Sequence, residues 1–155
     1  MFDINTVSGS RFYIGTTLVA DSLAEFQGDT YIEVSKVESI GDQGDERAVT
    51  EFASIADERV DKAVGTINGG TQAVTVADVP DDEGQIAMSA AAAGKVAYNF
   101  KVVLADAPAG GTPSERYYRG LVTSDKMVIG TANNIVKRTY NVAVKTATFG
   151  GPAAA

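Results

Sequence analysis

Apolar and polar side chains alternate with a period of two along most of this chain, the mark of strands with one buried face. The alternation is clearest late in the sequence, in residues 115–123 (ERYYRGLVT) and 134–145 (NIVKRTYNVAVK). Residues 97–105 predict another strand, with Tyr98, Phe100, Val102 and Leu104 on one face. Residues 11–20 (RFYIGTTLVA) are rich in β-branched and aromatic types and predict a first strand bent at Gly15. Residues 30–40 alternate as one strand, Ile32, Val34 and Ile40 on one face and Glu33, Ser35 and Val37 on the other. Residues 63–67 and 72–76 flank Asn68-Gly69-Gly70, a turn sequence that predicts a hairpin. Residues 49–60 fit either a strand or a short helix.

The period changes once. Residues 78–93 read as a helix: Pro80 lies near its first turn, acids cluster at its start, and Gly94 ends it. Its predicted apolar stripe is Ile86, Ala87 and Ala90, with Ala93 nearby. Ser22-x-x-Glu25 has capping-box spacing and predicts one short helical turn. Residues 41–49 begin as a glycine-bearing acidic stretch and predict a long loop; residues 106–114 (DAPAGGTPS) predict another. The expected organisation is an arm over residues 1–10, one domain over 11–149, and a small-residue tail over 150–155 with nothing to order it. The class is mainly β with one helix at about residues 80–93.

Composition narrows the chemistry. The 155 residues include no histidine, no cysteine and no tryptophan. Ser-His-Asp and Cys-His nucleophiles are therefore excluded, and no Ser-x-x-Lys or Gly-x-Ser-x-Gly occurs. The chain reads as a non-enzyme with no cofactor. A metal site would need oxygen ligands alone. The densest acidic cluster, Asp78, Asp81, Asp82 and Glu83, lacks EF-hand spacing and suits a helix N-terminus instead. Arg116-Tyr-Tyr-Arg119 mixes basic and aromatic residues as nucleic-acid binders do. On a strand, however, it puts one tyrosine with one arginine on each face, and a net charge of −7 opposes generic nucleic-acid binding. Residues 1–6 have no signal-peptide pattern, and no apolar run approaches the ~18 residues that span a membrane.

The charge is unevenly placed. Before Lys95 there are 17 acidic and five basic side chains; from Lys95 onward there are three acidic and eight basic, balances of −12 and +5. One reading is self-association, the acidic face of one copy meeting the basic face of the next.

In order, the elements resemble the bacteriophage major tail tube protein family, the lambda-like subunits of non-contractile tails. The resemblance runs over roughly residues 15–147. It rests on Gly15-Thr-Thr-Leu18, then residues 30–41 (TYIEVSKVESIG), then Gly65-Thr66 and the helix opening Pro80-Asp-Asp-Glu-Gly-Gln85. Residues 119–124 (RGLVTS) and the basic final strand complete it. Departures are the missing tryptophans and the absence of an immunoglobulin-like domain after the tube domain.

The resemblance implies an antiparallel β-sandwich or partly closed barrel with one flanking helix. It implies hexameric rings stacked into a tube that conducts DNA without binding it specifically, in a virion tail assembled in the host cytoplasm. It also implies a tape measure protein inside, with a tail terminator and a tail tip or initiator protein at the ends. An acidic inner wall would repel DNA phosphates. The candidate assembly contacts are Phe2, Asp3, Ile4 and Asn5 in the arm and Asp42, Gln43, Asp45, Glu46 and Arg47 in the loop. Two alternatives remain beside it. One is the tube protein of a contractile or secretion-type injection machine. The other is a monomeric β-sandwich binding module with an exposed aromatic patch at Tyr117, Tyr118 and Tyr140.

Overall fold

The computed structural model describes residues 4–153. The chain runs β1 (Arg11–Ile14), α1 (Leu23–Gln27), β2 (Ile32–Val34), β3 (Val37–Ile40), β4 (Glu46–Phe52), β5 (Asp61–Asn68) and β6 (Thr71–Ala77). It continues with α2 (Glu83–Ala93), β7 (Tyr98–Val103), β8 (Glu115–Val128), β9 (Lys137–Val144) and β10 (Phe149–Gly151). All pairings are antiparallel. Eight strands form one sheet in the order β2-β1-β7-β8-β9-β6-β3, with β10 on β8, while β4 and β5 pair only with each other.

The long strand β8 explains how one sheet makes two layers. Its first half, up to Gly120, pairs with β7; from Gly120 to Val128 it pairs with β9. Gly120 stands at the handover, where a Cβ would lie 2.7 Å from the Ala143 carbonyl oxygen. A glycine there lets β8 turn from one layer into the other. The core fills the space between: Phe12, Ile14, Phe100, Val102 and Tyr118 from one layer, Val74, Val76, Val122, Tyr140 and Val142 from the other. Across the core, the Tyr118 hydroxyl donates to Gln72 Oε1, and Gln72 Nε2 donates to the Gly41 carbonyl oxygen. Both buried polar groups are thereby satisfied.

Residues 30–40, expected as one strand, are two. Lys36 takes a left-handed backbone (φ 60°) between β2 and β3, and these short strands are the opposite edges of the sheet. Two residues span only about 10 Å, so the sheet must curl until its edges nearly meet. No ladder joins β2 to β3 among the described residues, so the barrel stays open there. Helix α2 lies over the seam. Asp82 caps it by accepting from Gln85 N and also accepts from Ser35 N. The buried Gln85 side chain donates to the Ser35 and Ala77 carbonyl oxygens and accepts from Val79 N. One glutamine thus ties the β2–β3 connection and the end of β6 to the helix.

The helix is shorter than expected, starting at Glu83, and its buried face is Gly84, Gln85, Met88 and Ala91; of the predicted stripe only Ala87 packs against the core, half-buried, while Ile86, Ala90 and Ala93 are exposed. At its first turn Gly84 approaches the backbone of Glu33 and Val34 closely, while Met88 and Ala91 further along enter the core. A second helix, α1, is capped by Ser22 as its spacing predicted. It seats Phe26 against Tyr117 and Phe149 on the outer face of the first layer. The segment after Phe149, expected to be unordered, pairs as β10 with the start of β8, and Ala153 N donates to Ser114 Oγ.

Candidate assembly surfaces

The β4–β5 hairpin departs most from ordinary burial. Every residue of both strands is exposed. The sequence predicted a β5–β6 hairpin at Asn68-Gly69-Gly70, but β5 pairs back onto β4 instead. The glycines serve a corner against β9: a Cβ on Gly69 would lie 2.9 Å from Val144, Gly70 has φ 73°, and Val144 N donates to the Gly70 carbonyl oxygen. The expected long loop over residues 41–49 is correspondingly shorter, because Glu46 onward is strand.

Register divides the hairpin into two faces. Val49 pairs with Val64 and Arg47 with Ile67, giving an apolar strip that ends at the Glu51–Lys62 ion pair, 3.5 Å long. Phe52 lies on the opposite face, 69% exposed. A lone two-stranded hairpin is marginally stable in water, and exposed apolar strips on projecting elements mark contact sites.

A second apolar projection is the turn joining β8 to β9. Met127, Val128, Ile129, Ile135 and Val136 are all exposed there. A third unsatisfied feature is an edge. Leu121–Val128 of β8 pairs only with β9, and β3 pairs only with β6, so the second layer (β8, β9, β6, β3) is open on both sides. Free edges of this length invite pairing with another chain. These apolar and edge features lay outside the residues named from sequence; an alternating apolar pattern does not reveal whether the body covers it.

Of the contacts named from sequence, Phe2 and Asp3 lie outside the described residues. Ile4 and Asn5 are exposed and outside any helix or strand. Residues 7–10 border a shallow cleft whose other wall is residues 37–40, so the arm lies beside the β3 edge. Asp42, Gln43, Asp45 and Glu46 gather at the hairpin root, opposite Asn68, Gly69, Gly70 and Thr71. Arg47 is one step further out, across from Ile67.

Polar networks hold the body rigid behind these surfaces. Asp29 accepts from Thr16 N (3.0 Å), Thr16 Oγ1 (2.6 Å) and Asn99 Nδ2 (2.8 Å). Burial alone would raise its carboxyl, but these hydrogen bonds hold it below the usual carboxylate range. Arg119 donates to Asn99 Oδ1 and the Thr17 carbonyl oxygen, extending the network to β8. Arg138 bridges Asp78 (2.7 Å) and Asp125 (2.9 Å), which keeps its guanidinium charged and locks β9 to β8 and to the lead into α2. No group of three or more potential metal ligands clusters among the described residues. No helix among them is long and apolar enough to cross a membrane. The aromatic patch of a ligand-binding module is also missing: Tyr117, Tyr118 and Tyr140 are 2%, 0% and 0% exposed.

This fold, two β layers with a helix across the seam, is similar to solved structures from a phage tail tube and from injection systems. The SPP1 tail tube subunit superposes with a TM-score of 0.65 at 12% identity, over 95% of this chain and 81% of that one. A chain of the anti-feeding prophage baseplate matches over 100% of both chains, with a TM-score of 0.70 and 8% identity. A chain of the PVC sheath/tube terminator, from an extracellular contractile injection system, gives 0.67 at 12% identity over 97% and 98%. No protein-family model and no curated protein sequence matches the chain.

Proposed function

We propose that this protein is a structural tube subunit. Copies close into rings, six-membered on the resemblance, and the rings stack into the hollow tube of a phage tail or a tail-derived particle. The observation that carries the reading is the unburied β4–β5 hairpin, together with the open edges of the second layer. Pairing between the β8 edge of one copy and the β3 edge of the next would continue the layer around a ring. A heterologous contact of this kind closes if its rotation permits, and stacking extends it. The fold likeness agrees. In this role the tube conducts DNA during ejection without binding it specifically, as a net charge of −7 favours. Its partners are other copies, a tape measure protein inside, and terminator and tip or initiator proteins at the ends. The subunit would reside in the virion tail after assembly in the host cytoplasm.

The likeness to two injection-system components favours one second reading, a tube of a contractile machine. The two readings differ by a sheath: co-sedimentation with a sheath protein encoded alongside it would select the contractile form.

Negative-stain electron microscopy of the purified protein, across a concentration and salt series, tests the proposal. Hollow tubes or rings with stain-filled centres are expected. Monomers under every condition would contradict self-assembly by this chain.

A further inference from the structure

Within the second layer the two apolar projections leave opposite ends of the same strands. Thr71 of β6 faces Ala143 of β9, and there the chain enters from the β4–β5 hairpin; Ala77 faces Lys137, where β9 begins after the β8–β9 turn. The strand length between them, seven residues, is roughly 20 Å. Neither projection can fold back on the other within one copy without leaving its ladder. Both are apolar: Val49, Val64 and Ile67 on the hairpin, and Val128, Ile129 and Ile135 on the turn, are all exposed.

Their charges are opposite. Residues 45–62 carry six acidic and three basic side chains, a balance of −3. Residues 126–137 carry two lysines and no acid. Lys137 answers Glu38 at 2.7 Å, while Lys126 has no carboxylate within 4.0 Å among the described residues.

From this placement we infer that the β4–β5 hairpin of one copy docks on the β8–β9 turn of the next. This inference deepens the tube reading and rests on it. The hairpin's Val49–Val64–Ile67 strip covers the Ile129–Ile135 tip, and the acidic hairpin end lies toward Lys126. Because donor and acceptor sit at opposite ends of one layer, the contact repeats head to tail and never satisfies itself within a pair. Apolar burial holds the joint, and opposite charge fixes its polarity.

Complementation between two defective proteins tests it. Val49→Asp/Val64→Asp spoils the donor face, and Ile129→Asp/Ile135→Asp spoils the acceptor face. All four side chains are exposed, so each variant should melt with the wild type. If either fails to fold, the milder threonine pairs at the same positions replace it. Wild-type protein should form long tubes by negative-stain microscopy. Each variant alone should stop at single rings or smaller species. Mixed, the two should form a two-layer species absent from either alone, and nothing longer. Full-length tubes from the Ile129/Ile135 variant would overturn the docking and leave the tube reading standing. Two defective variants whose mixture forms no two-layer species would overturn it as well. Wild-type protein that forms no tube would instead remove the reading beneath it.

Discussion

A methyl group on Gly84 would lie 2.1 Å from the Glu33 carbonyl oxygen, a backbone atom that no rotamer change can move. Exchanging glycine for alanine inside a helix ordinarily adds up to about 1 kcal/mol of stability. Here the sign reverses, because α2 must lift off β2 and the Gln85 bonds across the seam are strained with it. Gly84→Ala should lower stability by about 1–3 kcal/mol, read as a fall in urea midpoint; an unchanged or raised midpoint would show that the helix sits looser than its contacts indicate. Asp29 gives a pH test. Its folded carboxyl lies below the ordinary range, so its stabilisation is present above the unfolded value near ~4 and lost as pH falls through the folded one. Asp29→Asn sets an amide against the donors Thr16 N, Thr16 Oγ1 and Asn99 Nδ2. It should cost about 1–3 kcal/mol at neutral pH and flatten the decline of stability below about pH 4. Parallel pH profiles for the two proteins would remove Asp29 from the account. Such close approaches and shared carboxylates are invisible in the sequence, where Gly84 reads only as part of the helix opening.

At the scale of elements, strands buried on one face were legible and partners were not. Tyr98, Phe100, Val102 and Leu104 face the core as their alternation predicts. The β4–β5 hairpin was missed because Asn68-Gly69-Gly70 carries a local turn signal, while β4 and β5 are joined by eight residues (ASIADERV) that carry no such signal. The helix phase was missed because the stripe through Ile86 looked the most apolar, whereas α2 docks along Gly84, Gln85, Met88 and Ala91 and leaves Ile86 exposed. Two element-level predictions follow from the geometry. Gly41 N donates to the Ala73 carbonyl oxygen, so the hairpin roots lie side by side. Replacing residues 43–69 with a short glycine-serine turn should therefore leave a folded body, melting within a few degrees of the full protein, that forms no tubes. Tubes from this excised form would exclude the hairpin from assembly. Gly120→Val forces a side chain into the Ala143 backbone at the handover of β8 and should cost about 1–3 kcal/mol in thermal melts; an unchanged melt would mean β8 bends without needing a glycine.

For the whole molecule, sequence alone showed a mainly β class, an uneven charge and a resemblance to tail tube subunits, and the fold agrees with the class and with that architecture. The arm and loop residues named from sequence remain candidates; the loop residues Asp42, Gln43, Asp45 and Glu46 lie at the root of the β4–β5 hairpin. The apolar strip above them belongs to strands whose exposure depends on what the rest of the chain fails to cover. A body with a packed core carries a hairpin with none and an open eight-residue edge, and on the proposed reading another copy covers them. Hydrogen exchange by mass spectrometry on pelleted assemblies and on dispersed subunits tests that claim most directly. The account predicts that amides of β4 and β5, and those of Leu121–Val128 that point away from β9, exchange quickly in free subunits and become protected in assemblies, while the core strands β7 and β9 stay protected in both. Equal, rapid exchange of the hairpin and the β8 edge in both states would contradict it.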